Sequence, residues 1–548
     1  MPALNSYNLQ QTYNDKYLIW NENKALQLAK RQEYFRQNPD AIKDYDFQRA
    51  KILLSSVDMM DKSISQKSDN MNVVFESATD LGLGYAAVGG TALGFLASKL
   101  KFVKNIINKI TQKHPKSKNI VQMGITAISG IAGILAAYPI YTFLSNIESK
   151  IHRKRKFETM EKELQDPKIF VVLDSEQKNI FKQNLDKIEK EKNKITPQKV
   201  IKKNVKTIKQ LSKETLNYEK EQEKFSKKYE EDKSLFDKPL SEKEIKNAKK
   251  DRELLLNLIK NINGKSQSYT EKMTGITDNL ITLSFAMGSL FTLGYERLAK
   301  RMNLKSSSLP AGLGIFLMMA STFFATWAQK RASHVGRFKA KQELMQNPEQ
   351  LIYVSSSKVD SIDNKDIEIE KKQKTNSIKF LKDFFNDNRE YENWKKTENF
   401  TGKNISQSME NIDITPEQLQ DGKRLQKNMF KTFYKIDKNT QNYSTDIDIA
   451  CESIKFPITL ALGTLGSVLG MKHLAHLRSA NAPKDIFKHS TKYTGTIFLF
   501  TLPSLLINSY FAKVQKMGAR ISDMATIQEL EDYRNFADYS KFRKTSNT

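Results

Sequence analysis

Six stretches of this chain carry no charged side chain, although 28% of its 548 residues are Asp, Glu, Lys or Arg. They are Leu81–Ser98, Ile120–Phe143, Leu280–Tyr295, Leu309–Ala328, Phe456–Met471 and Tyr493–Phe511. A helix that crosses a bilayer needs about 20 mostly apolar residues, within a range of roughly 17 to 25. Ile120–Phe143, Leu309–Ala328 and Tyr493–Phe511 meet that length, whereas Leu280–Tyr295 and Phe456–Met471 fall short of it. Helices buried in the core of a large protein normally keep charge on one face. These stretches keep none, so the pattern predicts six transmembrane helices. Their density of Gly, Ala, Ser and Thr suits close helix approach in lipid. Tyr141, Trp327, Tyr510 and Phe511 stand at C-terminal ends, where an interfacial aromatic belt belongs. The mean hydropathy of −0.57 averages these runs with strongly polar connections.

Short loops join the stretches in pairs, and long polar segments separate the pairs, giving three helical hairpins. An internal repeat supports that division. Leu240–Tyr269 aligns without a gap over Ile414–Tyr443 at a constant offset of 174. Ser241 and Thr415 both fall where a helix N-cap belongs, and Pro416 occupies a favoured first helical position. Leu255, Ile259 and Ile262 match Met429, Phe433 and Ile436 on one helical face, and Leu53, Val57 and Met60 repeat the spacing. A basic module follows each hairpin: Lys150–Pro167, Gln329–Pro348 and a degraded copy at Ala512–Tyr533 that keeps Gln528-Glu529-Leu530. Two copies end at Asp-Pro or Asn-Pro, a helix stop, and Ala29–Pro39 resembles a fourth copy. Between repeats, Phe181, Leu185, Ile188 and Ile195 form a short heptad-like stripe, and Ser355–Thr375 reads as a linker.

Composition excludes several classes. One cysteine, Cys451, rules out a disulfide framework and a multi-cysteine metal site. The chain has none of the Walker, HExxH, GxSxG or kinase patterns. His473 and His476 share a helical spacing but lack a nearby Asp, Glu or Cys ligand. No catalytic residue, metal or cofactor is therefore expected, and the chain is not expected to be an enzyme. Asp80, Asp278 and Glu452 each precede the first helix of a hairpin. They form a candidate ion site, although an acid complementing the helix dipole is the stronger interpretation. The net charge of +27 points to a polyanionic partner. Lys150, Arg153, Lys154, Arg155 and Lys156, then Lys330, Arg331, Arg337, Lys339 and Lys341, are candidate contacts to anionic lipid headgroups. Nucleic acid is disfavoured, because these clusters lack interleaved aromatics.

The sequence thus predicts an all-α integral membrane protein of three hairpin repeats, with long charged amphipathic or coiled-coil-like helices on one side. The expected units are residues 1–172, 173–354 and 355–548. With six spans, both termini and the long polar segments share one side, expected to be cytoplasmic. The basic hairpin loops leave the positive-inside rule undecided and allow re-entrant hairpins. The expected role is structural or organising, with basic helices presented to anionic lipid or to a protein partner. A three-hairpin channel or transporter and a soluble basic scaffold binding nucleic acid are the alternatives.

Overall fold

The computed structural model describes residues 26–65, 101–112, 156–193, 236–301, 309–362, 377–397, 401–440, 447, 451 and 483–539. For most of 278–301, 309–326 and 483–513 it describes the backbone alone. Every regular element among the described residues is helical. In chain order these are α1 (26–37), α2 (44–65), α3 (Lys101–Thr111), α4 (156–163), α5 (Ser175–Asn193), α6 (Glu242–Arg301), α7 (Leu309–Gln346) and α8 (Ser356–Asp360). Then follow α9 (Ser377–Lys396), α10 (Gly402–Ser408), α11 (Pro416–Asn439) and α12 (Pro483–Glu531).

The aligned segments begin their helices in the same way. At the start of α6, the Ser241 N–H donates to Glu244 at 2.9 Å, and the Glu244 N–H donates to the Ser241 hydroxyl at 3.4 Å. At the start of α11, Thr415 and Gln418 form the same reciprocal box, at 3.0 and 3.2 Å. Each box satisfies two of the backbone donors that a helix start leaves open. Pro416 supplies a first helical residue with no N–H to satisfy.

The three apolar stripes then meet in one core. Leu53, Val57 and Met60 of α2 pack in the same cluster as Leu255, Ile259 and Ile262 of α6 and Met429 and Phe433 of α11. Around them sit the ends of the basic modules. Leu164, Leu344 and Leu530 are buried, and each is followed by a 3-10 turn: Pro167–Phe170, Pro348–Leu351 or Tyr533–Phe536. Pro39–Ala41 makes the same turn after α1. A proline at the head of such a turn lacks the N–H that would continue the helix. In the third module Tyr533 takes the proline's place, and Asp532 accepts from the Arg534 N–H as Asp166 accepts from the Lys168 N–H in the first. Gly422 of α11 lies against the Pro167 turn, where a Cβ would come within 2.8 Å of the Pro167 carbonyl. Glycine is what permits that approach.

Helices α6 and α7 pair antiparallel. Lys265 reaches Glu343 at 2.6 Å, Ser266 meets Ser333 at 2.9 Å, and Gln329 donates to Thr277 at 2.7 Å. At 1.5 Å per residue, the 60-residue α6 is about 90 Å long. A second cluster joins Phe380, Phe384 and Tyr391 of α9 to Met273, Ala328, Ala332, Val335 and Phe338.

The membrane architecture expected from the sequence requires correction. Among the described residues, no helix is long and apolar enough to cross a membrane. The transmembrane, multi-pass assignment and the sidedness built on it are therefore withdrawn. Leu280–Tyr295, Leu309–Ala328 and Tyr493–Phe511 are not separate spans. Each is a section of a longer helix, α6, α7 or α12, whose other section is charged and packed in the ion-paired core. An uncharged run reports local composition and leaves open whether its helix ends where the run does. The runs 81–98, 120–143 and 456–471 lie outside the described residues.

Candidate functional site

The basic residues of the second module have partners within the chain. Lys341 is only 2% exposed, and its Nζ lies 2.9 Å from Asp58 and 3.2 Å from Asp61, both on α2. The same ammonium sits 4.4 Å from the centre of the Trp394 ring. Arg337 lies 3.3 Å from Asp61. Lys339 faces Asp387 and Glu390 of α9, each at 3.1 Å. Arg331 pairs with Glu392, donates to Asn388 at 2.8 Å and stacks 4.8 Å above Tyr391. Lys156, in the first module, faces Asp437 at 3.7 Å. The side chain of Lys330 and residues Lys150, Arg153, Lys154 and Arg155 lie outside the described residues, as do Asp80, Glu452 and the Asp278 side chain.

The electrostatics follow from burial and pairing. Burial alone would raise the Asp61 carboxyl, but Arg337 and Lys341 overcome it and bring Asp61 down to about 2. Burial lowers Lys156 against the pull of Asp437. Burial likewise lowers Lys62, which donates to Thr397 at 2.6 Å.

A second ionic cluster links α2, α6 and α11. Arg49 lies 2.6 Å from Asp251 and 3.2 Å from Asp421. Arg424 lies 3.1 Å from Asp251 and also pairs with Asp421. Asp251 is fully buried and accepts from Asn428 at 2.8 Å. Candidate selection from sequence missed Arg49 and Asp251, although a signal existed. Arg49 stands four residues before Leu53, and Asp251 four before Leu255, so each puts a charge on an apolar stripe. The corresponding residue before Met429 is Leu425.

A cavity of about 540 Å³ opens beside this core, between α1, α6 and α12. Arg31 and Arg252 flank Glu253 at 3.0 and 2.8 Å. Against its burial, these two arginines hold Glu253 below the usual carboxylate range. Farther along α6, Asn263 donates to Asp523 at 3.2 Å, and Gln267 also donates to it. Burial pushes Asp523 up to about 6, and the two amide donors only partly offset that rise. Sequence reasoning passed over all four charged residues, which come from segments too distant for any motif to link.

Among the described residues, no group of three or more His, Cys, Asp or Glu is placed to hold a metal ion. Cys451 is buried. Comparison with protein-family models, curated proteins and solved structures finds no match.

Proposed function

We propose that the chain is a structural, organising protein, in which an ion-paired helical core holds long helices in a set relation for a protein partner. The pairing of the second basic module supports this most directly. Arg337 and Lys341 of α7 grip carboxylates of α2, while Arg331 and Lys339 grip carboxylates of α9. One module thus clamps two segments more than 300 residues apart in the chain. Four charges aimed at internal carboxylates suit a joint better than a surface for turnover. From that joint α6 and α7 continue together, and their length suits a spacer.

Shortening the spacer tests the proposal. Deleting residues 285–291 and 315–321 removes about two turns from each antiparallel helix and shortens the pair by roughly 10 Å. A photo-crosslinker at Arg301 in the full chain, expressed in its own cells, then reports which proteins lie at that end. An organising role predicts that the shortened chain folds with the same core stability but loses or exchanges its cross-linked partners. An identical set of cross-links from the two chains would overturn it.

A further inference from the structure

The cavity beside α6 has the size and polarity of a ligand site. Its volume of about 540 Å³ falls within the roughly 300–1,000 Å³ typical of small-molecule pockets. At one end two guanidinium groups, those of Arg31 and Arg252, share the single carboxylate of Glu253, so neither fork is fully matched by it. Arg31 is 8% exposed, and among the described residues its Nε and Nη1, and the Nε of Arg252, have no hydrogen-bond partner. A buried donor left unmatched is unfavourable, and a guanidinium fork matches the paired oxygens of a carboxylate or phosphate. The rest of the α6 wall carries Lys260 and the hydrogen-bonding amides Asn257, Asn261, Asn263 and Gln267, and Asp360 and Glu531 line the cavity from other elements. Asp523 closes that end, and among the described residues no cation pairs with it. Gly264 lies on the same wall, and a Cβ there would meet nothing within 4 Å. The space in front of it is open.

We propose that this cavity binds a small organic oxyanion, a phosphate monoester or a carboxylate. Its charged oxygens sit at Arg31 and Arg252. Its hydroxyl groups run along the amides of α6 and donate to Asp523. A ligand that is anionic throughout fits poorly, because Asp523 would repel its far end.

Calorimetric titration of the full chain in ~150 mM NaCl, with ribose 5-phosphate, gluconate, inorganic phosphate and ribose, tests the proposal. Ribose 5-phosphate or gluconate should bind saturably, inorganic phosphate more weakly than ribose 5-phosphate, and ribose not at all, and whichever of the two organic oxyanions binds more tightly identifies the preferred headgroup. Arg31→Gln should weaken binding about 10-fold or more. Gly264→Phe should abolish it while leaving every charge in place, which separates a filled cavity from general attraction to a chain of net charge +27. In the wild-type chain, the bound ligand should slow amide exchange in 27–31, 253–267 and 523–531. Absence of saturable oxyanion binding by the wild-type chain, affinity unchanged in a folded Gly264→Phe variant, or protection outside those segments would each overturn the proposal.

Discussion

At Lys341 a single ammonium serves two carboxylates and an aromatic face, so its removal should be felt well beyond α7. Lys341→Met keeps most of the side-chain volume but leaves Asp58 and Asp61 facing each other with one cation fewer. Breaking a buried pair from one side costs about 3–5 kcal/mol, and urea unfolding should show a loss of that size. Two carboxyls give opposite pH signatures. Asp61 is depressed from 3.8 to about 2, so its contribution is present above pH 3.8 and disappears as pH falls through 2. Such a shift corresponds to about 2 kcal/mol. Asp523 is raised from 3.8 to about 6, so its folded state is favoured below pH 3.8 and loses that advantage as pH rises through 6. Asp523→Asn should therefore stabilise the chain by about 1–3 kcal/mol at pH 8 and have little effect near pH 4. A pH series of denaturant midpoints checks both. The apolar residues of the core were legible beforehand, because Leu53, Leu255 and Met429 follow helical spacing. The carboxylates that meet Lys341 were not, since Asp58 and Asp61 lie in α2 and nothing local distinguishes them from solvated charges.

Among the helices, two glycines of the α6–α7 pair should respond to alanine with opposite signs. Alanine is the better helix former by about 1 kcal/mol. Gly264 faces open space, so Gly264→Ala should gain roughly 0.5–1 kcal/mol. A Cβ at Gly336 would lie 2.8 Å from the Ser266 Cα and 2.9 Å from the Lys265 carbonyl, and backbone does not yield as a side-chain tip does. Gly336→Ala should instead lose about 1–3 kcal/mol; thermal melts of the two variants give the comparison. Helix starts were legible at this scale, because Ser241 and Thr415 carry capping boxes that depend on only four consecutive residues. Helix extents were not. The absence of charge in Leu280–Tyr295 made it look like a bounded span, yet nothing within that run stops a helix that begins at Glu242.

Across the molecule, Arg49, Asp251, Asp421 and Arg424 draw three separate helices together at one buried point. Asp251→Leu alone should cost about 3–5 kcal/mol, because it leaves Arg49 and Arg424 with only Asp421 between them. The Arg49→Leu, Asp251→Leu double variant should recover to within about 1 kcal/mol of wild type or exceed it. Leucine already stands at the matching place in α11, Leu425, and Arg424 keeps Asp421. If the double variant is no better than the single one, the ion pair is doing more than satisfying its own charges. Amide exchange of α2, the first part of α6 and α11 would then show which helix loosens.

The chain order of that core also sets a timetable for synthesis. Leu53 shares its cluster with Phe536 and Tyr539, and Lys431 donates to the Asn535 carbonyl at 3.0 Å. At roughly 5–20 residues per second, about 25–100 s separate translation of α2 from arrival of the segment that seals it. Throughout that interval the apolar face of α2 waits on the ribosome without its last neighbours, so the nascent chain is a natural client for holdase chaperones.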